Sequence, residues 1–261
     1  MANARDTAAD GPRLSVIVIT RNEAAHIGDC LDSVAFADEL IVLDSGSTDQ
    51  TCDMARARGA RVEVSADWPG FGPQKNRALA LATGEWVLSI DADERVTPEL
   101  ARAIEAALRA PQAEAYRIAR LSDFCGRWIR HSGWWPDYVV RLFRRDAGRF
   151  TDAPVHERVE VRGRTGTLAG HFLHYPYASL EVFIDKINRY STEAARAAYA
   201  RGRRTGVLGP FGHAAWTFIR HYLLRRGFLD GWQGLVLAGM AATGSFYRYV
   251  KLYRLGRGSG P

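Results

Sequence analysis

Three short apolar runs near the start of the chain each end on a polar side chain, and this limits the fold more than any other feature. The runs are Leu14-Ser15-Val16-Ile17-Val18-Ile19-Thr20, Glu39-Leu40-Ile41-Val42-Leu43-Asp44 and Glu85-Trp86-Val87-Leu88-Ser89-Ile90-Asp91. Runs of this length, bounded by turn residues and rich in β-branched side chains, read as buried strands. Residues 60–65 read as a further short strand. Helical patterns separate them. One follows Arg21-Asn22-Glu23 to about Val34, and one covers 50–58, with Ser47 or Thr48 as its N-cap and Gly59 at its end. A third runs over 71–82 and closes at Gly84, and a fourth starts at Thr97-Pro98 and reaches about Leu108. This β-α-β-α-β-α-β-α order predicts an α/β fold, a parallel sheet with helices on its faces. Such sheets bind ligands outside the carboxyl ends of their strands, so Thr20, Asp44 and Asp91 mark one edge.

Asp91-Ala92-Asp93 follows the third run. In extended chain the two carboxylates point the same way. They repel each other unless a cation sits near them, and carboxylate oxygens suit Mg2+ or Mn2+, ions that share their shell with substrate phosphates. The triplet is common and also reads as a solvated loop, so the rest of the chain must weigh it. Lys75 is one of only three lysines. It lies near a helix start, where free N–H groups favour phosphate.

The alternation then changes. Residues 115–121, 138–144, 155–161 and 167–174 read as strands without long helices between them, a mixed and partly antiparallel second half. From Ser179 the pattern is helical, with Leu180, Phe183, Ile184, Ile187 and Tyr190 on one face. The domain boundaries expected are 13–178 for the main body, divided into a first half over 13–110 and a second half over 111–178, and 179–261 for a basic helical extension.

Charge separates these parts. Residues 180–261 hold thirteen Lys/Arg against four acids, a net +9, which leaves −3 for the remainder of a chain whose total is +6. A basic tail on a neutral-to-acidic body suggests an anionic surface as partner, nucleic acid or membrane. Phe211, Trp216, Phe218, Ile219, Tyr222, Leu223 and Leu224 stand among Arg220, Arg225 and Arg226. The uncharged stretch from Gly231 to Tyr247 is seventeen residues long and rich in Gly and Ala. It falls short of the roughly 20 apolar residues of a spanning helix. An interfacial helix lying in the membrane plane fits better, with a homo-oligomer interface as the alternative. Cys30, Cys52 and Cys125 are scattered and odd in number, which suits a reducing compartment. Met1 to Arg13 has no apolar core segment, so no signal peptide is expected.

Taken together, the first strand with Arg21-Asn22-Glu23, then Asp44-Ser45-Gly46-Ser47-Thr48-Asp49, Lys75-Asn76 and Asp91-Ala92-Asp93 resemble the inverting family 2 glycosyltransferases of GT-A fold. Val139-Val140-Arg141-Leu142-Phe143-Arg144-Arg145 and Val155-His156-Glu157 resemble the branch that includes lipopolysaccharide core β-glucosyltransferases. The resemblance spans about residues 13–255. It implies a Rossmann-like mixed sheet flanked by helices, a UDP-sugar donor, a divalent metal and a lipid-linked saccharide acceptor at the inner face of the cytoplasmic membrane. Within the same family, polyprenyl phosphate, exopolysaccharide or protein are the other acceptors. Thr20 and Glu23 would surround the nucleotide base, and Asp44 would contact uracil or ribose. Lys75 would meet the diphosphate. Asp91 would contact the ribose or metal-bound water, and Asp93 would bind the metal directly. GT-A enzymes often add a late histidine to the metal or diphosphate, and His174 is the better candidate here, ahead of His156. Many members carry a Glu-Asp pair for the general base, which this chain lacks in the usual position. Glu157 is the best substitute by motif, and Asp137 in Trp134-Trp135-Pro136-Asp137 is the runner-up.

Two rivals remain. A nucleotidyltransferase would place a Gly-rich loop after the first strand, but no glycine precedes Gly28 there. A non-catalytic nucleotide-sugar-binding regulator, or a nucleic-acid-binding protein, would use the basic tail. Acids rather than bases line the predicted site, so no nucleic acid is expected there.

Overall fold

A computed structural model describes residues 13–152, 158–176 and 179–258. The chain forms two compact units. One runs up to Arg120 and includes Tyr138–His174, and the other joins Leu121–Asp137 to the chain from Tyr175 onward.

The first unit opens with the expected alternation: β1 (Leu14–Thr20), α1 (Ile27–Asp32), β2 (Glu39–Asp44), α2 (Thr51–Arg56), β3 (Arg61–Val64), α3 (Phe71–Leu81) and β4 (Trp86–Ser89). A short strand the sequence pattern did not reveal, β5 (Glu94–Val96), precedes α4 (Pro98–Arg109). Then come β6 (Ala115–Phe124), β7 (Arg127–Trp128), β8 (Asp137–Arg144), β9 (Gly148–Phe150), β10 (Val159–Val161) and β11 (Thr165–His174). Of the strand expected over 155–161, the last three residues pair with β9, and 155–157 lie outside the described residues.

The main sheet runs in the order β3-β2-β1-β4-β8-β6-β11-β5. β1 is parallel to both β2 and β4, and β2 to β3, whereas β8 is antiparallel to β4 and β11 to β5. Period-two alternation fills both faces. Val16, Val18 and Leu88 pack with Ile27, Leu31, Leu100 and Ile104. Their neighbours Ile17 and Val87 pack on the other side with Ala78, Phe143 and Phe150. A sheet buried on both faces needs apolar residues at successive positions, which is why β1 reads as a continuous run.

Caps and close approaches set the helices. Thr97 accepts from the Leu100 N–H with Pro98 at N1, as expected. The α2 start differs: neither Ser47 nor Thr48 caps it. Gln50 holds the N-cap position without a side-chain cap bond, and Asp49 just before it accepts from the Thr51 N–H through its Oδ1 at 3.0 Å. Ser47 is drawn away instead, accepting from the Asn22 N–H at 2.7 Å. Gly84 has no substitute at its place, because a Cβ there would lie 2.8 Å from the Ser15 backbone nitrogen.

The second unit is mainly helical: α5 (Leu180–Ala200), α6 (Gly209–Ile219) and α7 (Gly231–Gly256). Ser179 caps α5 by accepting from the Val182 N–H. β7 pairs with Asp123 and Phe124 of β6 in this unit. Phe124, Ile129 and Leu237 form its core with Trp134, Phe183 and Met240. Asp230, 2% exposed, accepts from the backbone N–H of Arg130 and His131 and meets the His131 ring at 2.9 Å. The uncharged stretch lies inside α7, and among the described residues no helix is long and apolar enough to cross a membrane.

Candidate active site

The carboxyl ends of β1, β2 and β4 carry the predicted edge. Thr20 sits beside Asp44 in the parallel register. Both are buried, and the Thr20 Oγ1 has no hydrogen-bond partner among the described residues. A buried hydroxyl without a partner carries a desolvation cost that a bound polar ligand can relieve.

Asp44 is engaged within its own loop. Its Oδ2 accepts from the Gly46 N–H at 2.9 Å and the Ser47 N–H at 2.8 Å, and its Oδ1 accepts from the Ser47 hydroxyl. The Cys52 thiol lies near this carboxylate. Burial, followed by the Asp44 charge, pushes that thiol up. Asp44 therefore orders the loop, and Asp49 is the carboxylate at the helix start. Glu23 is half-buried, and its N–H donates to the Thr51 hydroxyl. Asn22 adopts a left-handed conformation with φ of 56°, and its Oδ1 accepts from the Thr48 N–H at 2.8 Å. These bonds tie the loop after β1 to the loop after β2.

The Asp-x-Asp stretch is a turn rather than extended chain. The Glu94 N–H donates to the Asp91 carbonyl at 2.9 Å, and the Asp91 N–H donates to Glu94 Oε2 at 2.9 Å. Arg95 fastens the turn by donating to the Ala92 and Glu94 carbonyls. The two aspartates consequently have different partners. Asp91 meets Lys75 Nζ at 3.0 Å and makes two bonds to the Arg141 guanidinium. Burial pushes its carboxyl up, but the Arg141 and Lys75 charges outweigh this and hold it well below the usual carboxylate range. Glu94 is fully buried, 3.2 Å from Arg141 and 3.5 Å from Arg120.

Lys75 is neither a surface lysine nor a first-turn residue. It lies one turn into α3, is 4% exposed and stands over the Phe150 ring.

Asp93 belongs to a different pair. Antiparallel pairing of β5 with β11 sets His174 opposite Glu94, one residue from Asp93. The His174 Nε2 lies 3.6 Å from Asp93 Oδ2, with both side chains partly open to solvent. One carboxylate and one imidazole make two metal ligands, which leaves coordination positions for phosphate oxygens and water. The described residues contain no cluster of three or more His, Cys, Asp or Glu able to hold a metal alone. Asp91, committed to Lys75 and Arg141, is not placed as a third.

Glu157 and His156 lie outside the described residues. Asp137 opens β8 and belongs to the second unit, half-buried. The charged residues the sequence reading left without a role are Arg141, Glu94 and Arg120. Arg141 had a signal, a lone arginine between Val140 and Leu142 in a strand-like run.

Residues 15–163 match glycosyl transferase family 2. The chain belongs to that family. This family 2 glycosyltransferase is 31% identical over 260 residues to an uncharacterised glycosyltransferase of Rickettsia bellii, covering 93% of this chain and 87% of that protein. It is 29% identical over 258 residues to the lipopolysaccharide core biosynthesis glycosyltransferase LpsC of Rhizobium meliloti, covering 92% of each. A solved glucosyl-3-phosphoglycerate synthase from Mycobacterium tuberculosis, in complex with Mn2+, UDP and glucosyl-3-phosphoglycerate, is 32% identical. That match covers 43% of this chain and 45% of the other, with a TM-score of 0.37. The mixed sheet flanked by helices is the GT-A fold, and a helical C-terminal region follows it.

Proposed function

We propose that this enzyme is a metal-dependent inverting hexosyltransferase. It moves glucose or a close hexose from a UDP-sugar to a lipid-linked saccharide of the lipopolysaccharide inner-core class. The relative named for lipopolysaccharide core biosynthesis supports the acceptor class. The observation that carries the donor half is the Asp93–His174 pair beside the ion-paired Asp91 with the buried Lys75 and Arg141. That pair would hold Mg2+ or Mn2+, which when bound offsets the charge growing on the departing nucleoside diphosphate. Asp91 fixes Lys75 and Arg141 in place, so two cations stand ready where phosphate charge collects. Thr20 offers its unpaired hydroxyl to the nucleoside, and Glu23 lines the same edge. Asp44 contacts uracil or ribose by exchanging one of its loop bonds. Glu157, or Asp137 in its place, removes the proton of the acceptor hydroxyl as that oxygen attacks the anomeric carbon.

The second unit supports docking at an anionic membrane surface. Leu208, Phe211, Trp216, Leu224 and Trp232 are all more than half exposed, and Arg220 and Arg226 stand exposed among them. Apolar side chains of this size interleaved with arginines suit the headgroup layer.

Calorimetry of UDP-glucose binding, with Mn2+ and with chelator, tests the donor half. Wild type should bind only with metal, and Asp93→Ala should lose about 100-fold or more in affinity, since even the residues that merely orient a metal ligand cost about 10–100-fold when removed. Undiminished metal-dependent binding in Asp93→Ala would remove that residue from the ligand set. Glu157→Gln and Asp137→Asn, each assayed for donor binding and for transfer, identify the base as the one that keeps the first and loses the second.

A further inference from the structure

The second unit contains an open cavity of about 580 Å³ bounded by α5, α6, α7 and Trp134. This volume lies within the roughly 300–1,000 Å³ typical of small-ligand sites. Its walls are mostly apolar, with Trp134, Phe183, Ile187, Leu237 and Met240 on the lining. Phe183 and Trp134 stand edge to face, with ring centroids 6.2 Å apart. Small residues keep the space open. Ala194, Ala241 and Gly244 all line it, and a Cβ on Gly244 would already approach Ile187 at 3.2 Å.

One end is cationic. Arg248 lines the cavity, and its Nε–H is buried with no acceptor among the described residues. No carboxylate of the described residues pairs with it. Lys251 lies one turn further along α7. Its ammonium is held by four neutral oxygens, from the Asn188 carbonyl, the Asn188 side chain, Ser191 and Thr192, at 2.7–2.8 Å. Ser191 and Ser245 carry hydroxyls into the same lining. Lys251 lies outside the lining, so the positive charge at this end of the cavity is that of Arg248, which no carboxylate of the described residues balances. A buried guanidinium donor without an acceptor is costly, and an anion supplies what it lacks.

We propose that this cavity binds one long-chain anionic lipid, its hydrocarbon chain along the aromatic wall and its phosphate or carboxylate on Arg248. Neither glycosyl transfer nor the exposed apolar face is needed for this site. It takes a single chain between helices, whereas the exposed face would meet a surface.

The test uses the full chain and dodecyl phosphate below its micelle concentration, read by tryptophan fluorescence and calorimetry. Dodecyl maltoside serves as the neutral amphiphile and inorganic phosphate as the headgroup alone. Dodecyl phosphate should bind saturably at one per chain, about tenfold or more tighter than the maltoside, the worth of one charge-assisted hydrogen bond. Inorganic phosphate should bind far more weakly than dodecyl phosphate. Arg248→Gln should bring dodecyl phosphate down to the maltoside's affinity, and Ala241→Phe should weaken both amphiphiles by filling the cavity. Equal affinity for phosphate and dodecyl phosphate would overturn the chain site. Equal affinity for the two amphiphiles in wild type would overturn the headgroup role without recourse to any variant. Uptake of many molecules per chain, unchanged by Ala241→Phe, would show adsorption to the exposed face instead and overturn the proposal.

Discussion

The two units treat charge and apolar surface in opposite ways. In the first, charged side chains are matched: Glu94, Lys75 and Arg141 are buried, and the half-buried Asp91 and Arg120 pair with them. In the second, apolar side chains such as Phe211, Trp216 and Trp232 are exposed, and Arg248 has a buried nitrogen without an acceptor among the described residues. A site that must hold a diphosphate benefits from cations fixed before the ligand arrives, and buried carboxylates do the fixing. A surface that meets lipid benefits from the reverse, with apolar groups left in water until a partner removes them. Under the function proposed above, the difference separates a preorganised donor site from a membrane-docking element.

The largest effect expected is from breaking the buried network. Glu94→Ala leaves Arg141 and Arg120 without that carboxylate in a fully buried setting. It should cost about 3–5 kcal/mol, measured by urea denaturation. A loss below about 1 kcal/mol would mean that water reaches the site and the charges are not desolvated.

Acid sharpens the same point. Asp91 has a folded-state pKa held down by Arg141 and Lys75 against the opposing push of burial. A depressed carboxylate stabilises the fold fully above its unfolded value of about 3.9, and the contribution fades as pH falls towards the folded value. Arg141→Met lacks most of that contribution at every pH. The stability gap between wild type and Arg141→Met should be wide at pH 6 and narrow as pH drops below about 4. A constant gap would assign the effect to packing.

Thr97→Ala tests a purely local feature of the first unit. Loss of the α4 cap should cost about 1 kcal/mol and leave donor binding unchanged. The smallest effect on stability belongs to the second unit. Trp216→Ser alters an exposed side chain and should change stability by no more than about 0.5 kcal/mol. Sedimentation with vesicles containing anionic lipid should nevertheless fall. Unchanged sedimentation together with a large stability loss would mean that Trp216 packs inside an oligomer.

How much of this was legible in the sequence depended on whether the signal was local. Thr20 and Asp44 stood out because a β-branched run that ends on a polar residue is a feature of adjacent residues. Glu94 did not, since a glutamate after Asp-x-Asp looks solvated until Arg141 and Arg120 are brought to it from 47 and 26 residues away. Neither the turn at 91–94 nor its effect on Asp91 and Asp93 followed from alternation, because that argument assumes the strand continues. It ends at Ser89.

The sequence by itself determined the alternation of strands and helices, the polar ends of β1 and β2, the family and the basic, aromatic character of the tail. These are set by periodicity, composition and contiguous motifs, all of which act within a few residues. Only the tertiary structure decided which partner each aspartate takes. His174 reaches Asp93 because β11 pairs antiparallel with β5 in one register, and Lys75 reaches Asp91 because α3 packs against the sheet beside β4. Residues 121–137 join the C-terminal helices for a similar reason: Phe124 and Ile129 find their apolar neighbours on α5 and α7. Strand register and helix packing are long-range agreements between distant segments, and each is fixed only when the core closes.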